Sequence, residues 1–196
     1  MSRLRALFDL LTERQPTSTG VGVRLGPIAG RTVDPAALTI AVLVYRGVSS
    51  GEIDEPVRRL AERLGANVVM VGPTVGRVHA VEPSREVDVT SLPDDAPHVD
   101  VLVVPGGLGW KQVIDDESTR AWLARAAVEA RGVLAISTGS LLLASVGGLD
   151  GRSATGHWLA EDELAALGAT VSSTRTASDD GGRVVTASGA LAAVQV

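Results

Sequence analysis

Ile136-Ser137-Thr138-Gly139 places two hydroxyl side chains and a glycine directly after a short apolar run. A serine on a tight turn between a strand and a helix is pushed out over the sheet edge, where the next backbone N–H helps to hold an oxyanion. Gly139 gives such a turn room, whereas Ala135 stands where the general G-x-S-x-G pattern has its first glycine. The same residues also suit a plain helix N-cap, because a Ser or Thr oxygen accepts the free N–H groups of a first turn. Two further turns carry residues of interest, Gly47 to Pro56 with Glu52, and Pro105-Gly106-Gly107-Leu108-Gly109-Trp110. Glu52 reads either as an acid favoured by a helix N-terminus or as a carboxyl whose apolar surroundings raise its pKa, letting it donate a proton near neutrality. His157 reads equally as a structural or a catalytic histidine.

These residues need a scaffold, and the hydrophobic pattern supplies one. Leu38 to Tyr45, Asn67 to Val71, Val99 to Val104 and Gly132 to Ile136 are strand-length apolar runs. Between them, Ile53, Val57, Leu60, Ala61 and Leu64 share one helical face, as do Trp122, Leu123, Ala126 and Ala130. The alternation over 78–89 suits a hairpin, Leu141 to Ala144 a buried helix, 159–167 a further helix, 169–172 a strand, and 179–182 a turn into a strand at 183–186. Strands alternating with helices predict an α/β fold with a mainly parallel sheet covered on both faces. Ligands of such sheets bind beyond the carboxyl ends of the strands, where all three turns fall. Residues 1–36 read as an extension, a helix with Leu4, Leu7, Phe8 and Leu11 on one face and then a linker, ahead of a single domain at 37–196.

Composition narrows the chemistry. The chain has 196 residues, a formal net charge of −5 and no cysteine. With no Lys/Arg run, a nucleic-acid partner is not expected, and neither a signal peptide nor a membrane-length apolar run is present, so a cytoplasmic protein is expected. No cysteine means no disulfide framework, no thiolate zinc site and no thiol nucleophile. With three dispersed histidines, His79, His98 and His157, no metal site is expected, and His79 and His98 read as surface residues.

The segment from Ile136 to Trp158, with Ser137-Thr138-Gly139, an apolar helix, Gly148-Leu149-Asp150-Gly151-Arg152 and Thr155-Gly156-His157-Trp158, resembles the signature of the ThiJ/PfpI superfamily, the class I glutamine-amidotransferase-like proteins. Val44 to Pro56, Val103 to Gly107 and Asp180 to Gly189 resemble its other motifs in the same order, so the resemblance spans residue 38 to the end. It implies a flavodoxin-like three-layer sandwich with a nucleophile-elbow turn and a homodimer with the site near the subunit interface. It also implies Glu52 as the active-site carboxylic acid, Ser137 in place of the nucleophilic cysteine, His157 as its histidine, and oxyanion or substrate contacts from Gly106, Gly107 and Thr138. Trp110 and Trp158 serve either as packing, in the core or at the dimer interface, or as an apolar wall for a small substrate. The C-terminal helix that the family begins near Gly189 is expected to be shortened.

Within the superfamily the motifs are most similar to isonitrile hydratases and to the amidase-like domains of AraC-type regulators. The expected function is a cofactor-free hydratase or lyase acting on a small electrophilic metabolite, in specialised metabolism, with Glu52 as general acid/base. Two alternatives stay open, a non-catalytic ligand-binding or regulatory domain that has lost the thiol, and a serine hydrolase using Ser137 and His157. Ser137 is then a nucleophile, a hydrogen-bonding site residue, or a serine introduced in place of cysteine.

Overall fold

From Ile40 onward, no side chain of β1 (Thr39–Leu43) reaches solvent, and the same holds for β5 (Val101–Val104) and β6 (Gly132–Ile136). Strands buried on both faces need apolar side chains at every position rather than at alternate ones, and these three runs are built that way. The computed structural model describes residues 37–194; the expected N-terminal extension, 1–36, lies outside the described residues.

With β2 (Asn67–Val71), β10 (Val184–Ala187) and β9 (Thr176–Asp179), these strands form a six-stranded sheet of order β2-β1-β5-β6-β10-β9. All neighbours are parallel except β9, which runs antiparallel to β10 at the edge. The parallel part has the flavodoxin-like order, in which strand order reverses between β1 and β5 and opens a crevice at their carboxyl ends. β3 (Gly76–Ala80) and β4 (Arg85–Val89) form the expected hairpin, and β7 (Ser153–Ala154) pairs with β8 (Thr170–Val171).

Among the described residues, six α-helices flank the sheet, namely α1 (Asp54–Leu64), α2 (Trp110–Ile114), α3 (Glu117–Glu129), α4 (Gly139–Ser145), α5 (Glu161–Ala166) and α6 (Ala190–Val194). α1 begins with Asp54 and Glu55, ends with Arg63 in its last turn and stops at Gly65 in left-handed conformation, so charge and cap agree with the macrodipole. Its Val57, Leu60, Ala61 and Leu64 are buried, as the helical spacing requires. α1 packs against α6, while α4 packs against α2, α3 and α5. Among the described residues, α6 starts next to Gly189, where the family's C-terminal helix is expected to begin.

The sequence pattern places β1, β2, β5 and β6 to within two residues. It leaves out β7 and β9, and it starts the helix after Thr155–Trp158 too early: a 3-10 turn at Trp158–Ala160 precedes α5. Thr176-Ala177-Ser178-Asp179 has no apolar run, because an edge strand buries little more than Ala177.

Candidate active site

Three turns at the carboxyl ends of β1, β5 and β6 meet around Glu52. The turn after β1 carries Ser50-Gly51-Glu52 as a single 3-10 turn ahead of α1. Ser49 N–H donates to the Gly106 carbonyl at 2.8 Å, tying this turn to the one after β5. The segment linking β3 to β4 secures it from the other side. Ser50 N–H donates to the Val81 carbonyl (2.8 Å), Gly51 N–H to the Glu82 carbonyl (3.1 Å) and the buried Ser50 hydroxyl to the Pro83 carbonyl (2.7 Å).

Glu52 is 8 % exposed, and its Oε2 accepts a 2.6 Å hydrogen bond from Gly106 N–H. The Ser137 hydroxyl also bonds its carboxylate. Burial is the dominant influence on this acid and raises its pKa from 4.5 to about 7; the bonds from Gly106 and Ser137 oppose the rise, and the Glu82 charge adds to it. Of the two readings of Glu52 from the sequence, this direction of shift is the one that apolar surroundings produce.

Ser137 lies at the elbow with φ 56°, a left-handed conformation that costs a non-glycine residue about 1–2 kcal/mol. Its N–H donates to the Ala187 carbonyl at 2.7 Å, anchoring the elbow to the end of β10, and the residue is 7 % exposed. α4 starts two residues later with Gly139 to Ala144 all buried, and its buried Ser140 hydroxyl donates to the Thr155 carbonyl at 2.8 Å. A Cβ on Gly139 would collide with the Val104 carbonyl, so glycine is demanded there by the close approach of the β5 turn. Gly106 is under the same constraint: a Cβ would lie 2.6 Å from Thr138 Oγ1 and 3.0 Å from Glu52 Oε2.

Of the N–H groups expected to hold an oxyanion, that of Gly107 has a partner within the protein. Gly107 N–H donates to Thr138 Oγ1 at 2.9 Å, so this donor is already satisfied within the protein. The reason is the small Gly106, over which the Thr138 hydroxyl folds toward the β5 turn. The Thr138 side chain is thus a site residue, in addition to its backbone N–H.

His157 lies on the adjoining segment, which comes close to the elbow through Gly156: a Cβ there would lie 3.1 Å from the Ser137 carbonyl oxygen. Its Nδ1 accepts from Leu159 N–H at 3.2 Å, and its ring stacks on Trp158 at 5.9 Å between centroids. The Ser137 hydroxyl turns to Glu52 instead. Trp110 is half-buried at the start of α2, with Lys111 Nζ 5.3 Å from its ring centroid. Trp158, 71 % exposed, is not part of the core. His79 and His98 are exposed, as expected. Among the described residues there is no group of three or more His, Cys, Asp or Glu side chains suited to a metal ion, and no helix long and apolar enough to cross a membrane.

Sequence reasoning missed Tyr45. It is the only tyrosine of the chain and is buried beneath the β5 turn, with its hydroxyl donating to the Pro105 carbonyl at 3.1 Å. A tyrosine at the end of an apolar strand reads simply as core.

Comparison with known proteins finds relatives of the same fold. Residues 38–196 match the DJ-1/PfpI family. The chain is 32% identical over 158 residues to an isonitrile hydratase from Pseudomonas putida, covering 81% of this chain and 68% of that protein. A ThiJ/PfpI family protein from Pseudomonas syringae superimposes with a TM-score of 0.75 at 27% identity, over 88% of this chain and 74% of the other. Schizosaccharomyces pombe DJ-1 shares the fold at 16% identity, with a TM-score of 0.68 over 81% of this chain and 87% of that one.

Proposed function

From the premise that the chain belongs to the DJ-1/PfpI family, we propose that it is a cofactor-independent hydratase acting on a small electrophilic metabolite of the isonitrile class, with Glu52 as its general acid and base. The observation that carries this reading is the Glu52 carboxyl itself: buried, held by Gly106 N–H and the Ser137 hydroxyl, and poised at about 7. The 32% identical isonitrile hydratase supports the choice of substrate class.

In this reading Oε2 is occupied by Gly106 N–H, so the acidic proton resides on Oε1. Glu52 delivers it to the terminal carbon of R–N≡C, water adds to that carbon, and the carboxylate takes a proton back from the water. The imidic acid R–N=CH–OH then tautomerises to the formamide R–NH–CHO, so water is the only reactant consumed. Ser137 orients the water or the substrate, and the backbone N–H of Thr138 holds the oxygen of the imidic acid as it forms. Trp158 and Leu159, both large and exposed, belong in this reading to a homodimer contact beside the site.

The test is conversion of a small aliphatic isonitrile to its formamide, followed by the NMR signal of the formyl proton. Glu52→Gln should lower kcat by about 10²–10⁴-fold, the usual worth of a general acid, whereas Ser137→Ala should lower it about tenfold. If Ser137→Ala abolishes turnover and Glu52→Gln leaves it unchanged, the acid–base role is wrong. A second reading, a non-catalytic ligand-binding domain, draws on the Gly107 N–H being satisfied by Thr138, which leaves the pocket one donor short of an oxyanion hole. Saturable binding of the isonitrile without formamide production would favour it.

A further inference from the structure

Tyr45 and Glu52 bond to opposite ends of one peptide group. The Tyr45 hydroxyl donates to the Pro105 carbonyl at 3.1 Å, and the N–H on the other side of that same peptide plane, Gly106 N–H, donates to Glu52 Oε2 at 2.6 Å. A carbonyl that accepts a hydrogen bond polarises its peptide and makes the N–H a better donor, so the two bonds reinforce each other. The arrangement also fixes the plane in space. Tyr45 is fully buried, its ring lies against the approach of Gly109, and the lack of a side chain at Gly106 lets Thr138 and Glu52 close over this peptide.

We propose that Tyr45 is a positioning residue for Glu52: its phenolic hydroxyl orients and polarises the Pro105–Gly106 peptide, and that peptide holds the carboxyl in place. The proposal rests on the reading of Glu52 as the proton carrier. Tyr45 acts as a neutral donor throughout, because burial above all, and the neighbouring Glu52 charge after it, keep its own pKa well above the ordinary value.

Other polar groups face Glu52 as well. Glu82 faces it from the β3–β4 turn, the Ser137 hydroxyl from the elbow, and Thr138 Oγ1 shares with it the space over Gly106. On its own side of the crevice, Asp54 is paired with Arg85, and Glu55 with Arg58 and Arg59. None of these touches the Pro105 carbonyl.

Because Tyr45 is the only tyrosine, growth on fluorinated tyrosines changes this one hydroxyl and no other. The readout is the carbonyl stretch of the protonated Glu52 carboxyl, taken from infrared difference spectra against Glu52→Gln over a pH series, with no substrate present. As fluorination makes the phenol a stronger donor, the Glu52 midpoint should fall step by step. Tyr45→Phe, which removes the donor and keeps the ring, should raise it by about 0.2–0.6 units. A flat or inverted fluorotyrosine series overturns the proposal, as does a Tyr45→Phe protein that loses thermal stability with its midpoint unmoved. Should Tyr45→Phe not fold, the fluorotyrosine series decides alone. If the midpoints move as stated and no isonitrile is hydrated, the reaction assignment falls and the role of Tyr45 stands; turnover with unmoved midpoints gives the reverse.

Discussion

The Ser137 hydroxyl meets the Glu52 carboxylate, so the elbow after β6 and the turn after β1 form one site although 85 residues separate them in the chain. That contact assigns the serine a partner other than histidine. It also makes the protonation of Glu52 a property of two turns and the packing between them.

Stability should therefore depend on pH through Glu52 in the direction opposite to that of a salt-bridged acid. Its folded pKa, about 7, exceeds the ordinary 4.5, so the folded state holds this proton more tightly than the unfolded chain. Below pH 4.5 both states are protonated and nothing is lost. Stability then declines as pH rises from 4.5 through 7, by about 3 kcal/mol in all. Glu52→Gln should match the wild type at pH 4 and be the more stable protein at pH 8 in thermal melts. A constant difference between the two across that range would contradict the burial account.

Backbone strain at the elbow gives a second expectation. Ser137→Gly relieves the left-handed conformation while Ser137→Ala keeps it, and both lose the hydroxyl. Denaturant titration should find the glycine variant more stable than the alanine one by about 1 kcal/mol. Equal stabilities would mean that the elbow relaxes when the hydroxyl goes.

Thr138 offers a third test, since its hydroxyl oxygen is the acceptor for Gly107 N–H. Thr138→Val keeps the shape and strands that donor, at a cost of about 1–2 kcal/mol, whereas Thr138→Ser keeps the acceptor and most of the stability. A Val variant as stable as wild type would show that water replaces the hydroxyl at little cost.

The homodimer contact proposed at Trp158 and Leu159 is checked by sedimentation. A Trp158→Ala/Leu159→Ser double variant should dissociate to monomers at protein concentrations at which the wild type remains dimeric. Each side chain is exposed in the protomer, so the fold should survive, and unchanged sedimentation would place the contact elsewhere.

Much of this site was legible because the sequence punctuates it. Glu52, Gly106, Gly107, Ser137 and Thr138 all follow buried apolar runs, and a parallel sheet brings the ends of such runs together. What was not legible depends on contacts across the chain. The partner of Ser137 is chosen by side-chain direction, the Gly107 donor is taken by a hydroxyl 31 residues away, and Tyr45 works through a peptide whose place only the fold fixes. The family resemblance linked His157 with Ser137; the local bond from Leu159 N–H shows a second use for that ring.

The orientation of the β3–β4 hairpin bears on how the protein tolerates change. The tight end of a hairpin is ordinarily the place where extra residues are accommodated. Here that end, 81–84, is fastened by its carbonyls to Ser50 and Gly51, directly before the acid, while the stretch leading into β3, 73–75, is exposed. Epitope tags, linkers or sequence drift would thus be accepted at 73–75, and a single added residue at 82–83 would be felt at Glu52. The hairpin is mounted backwards with respect to the usual division between a permissive tip and a constrained base.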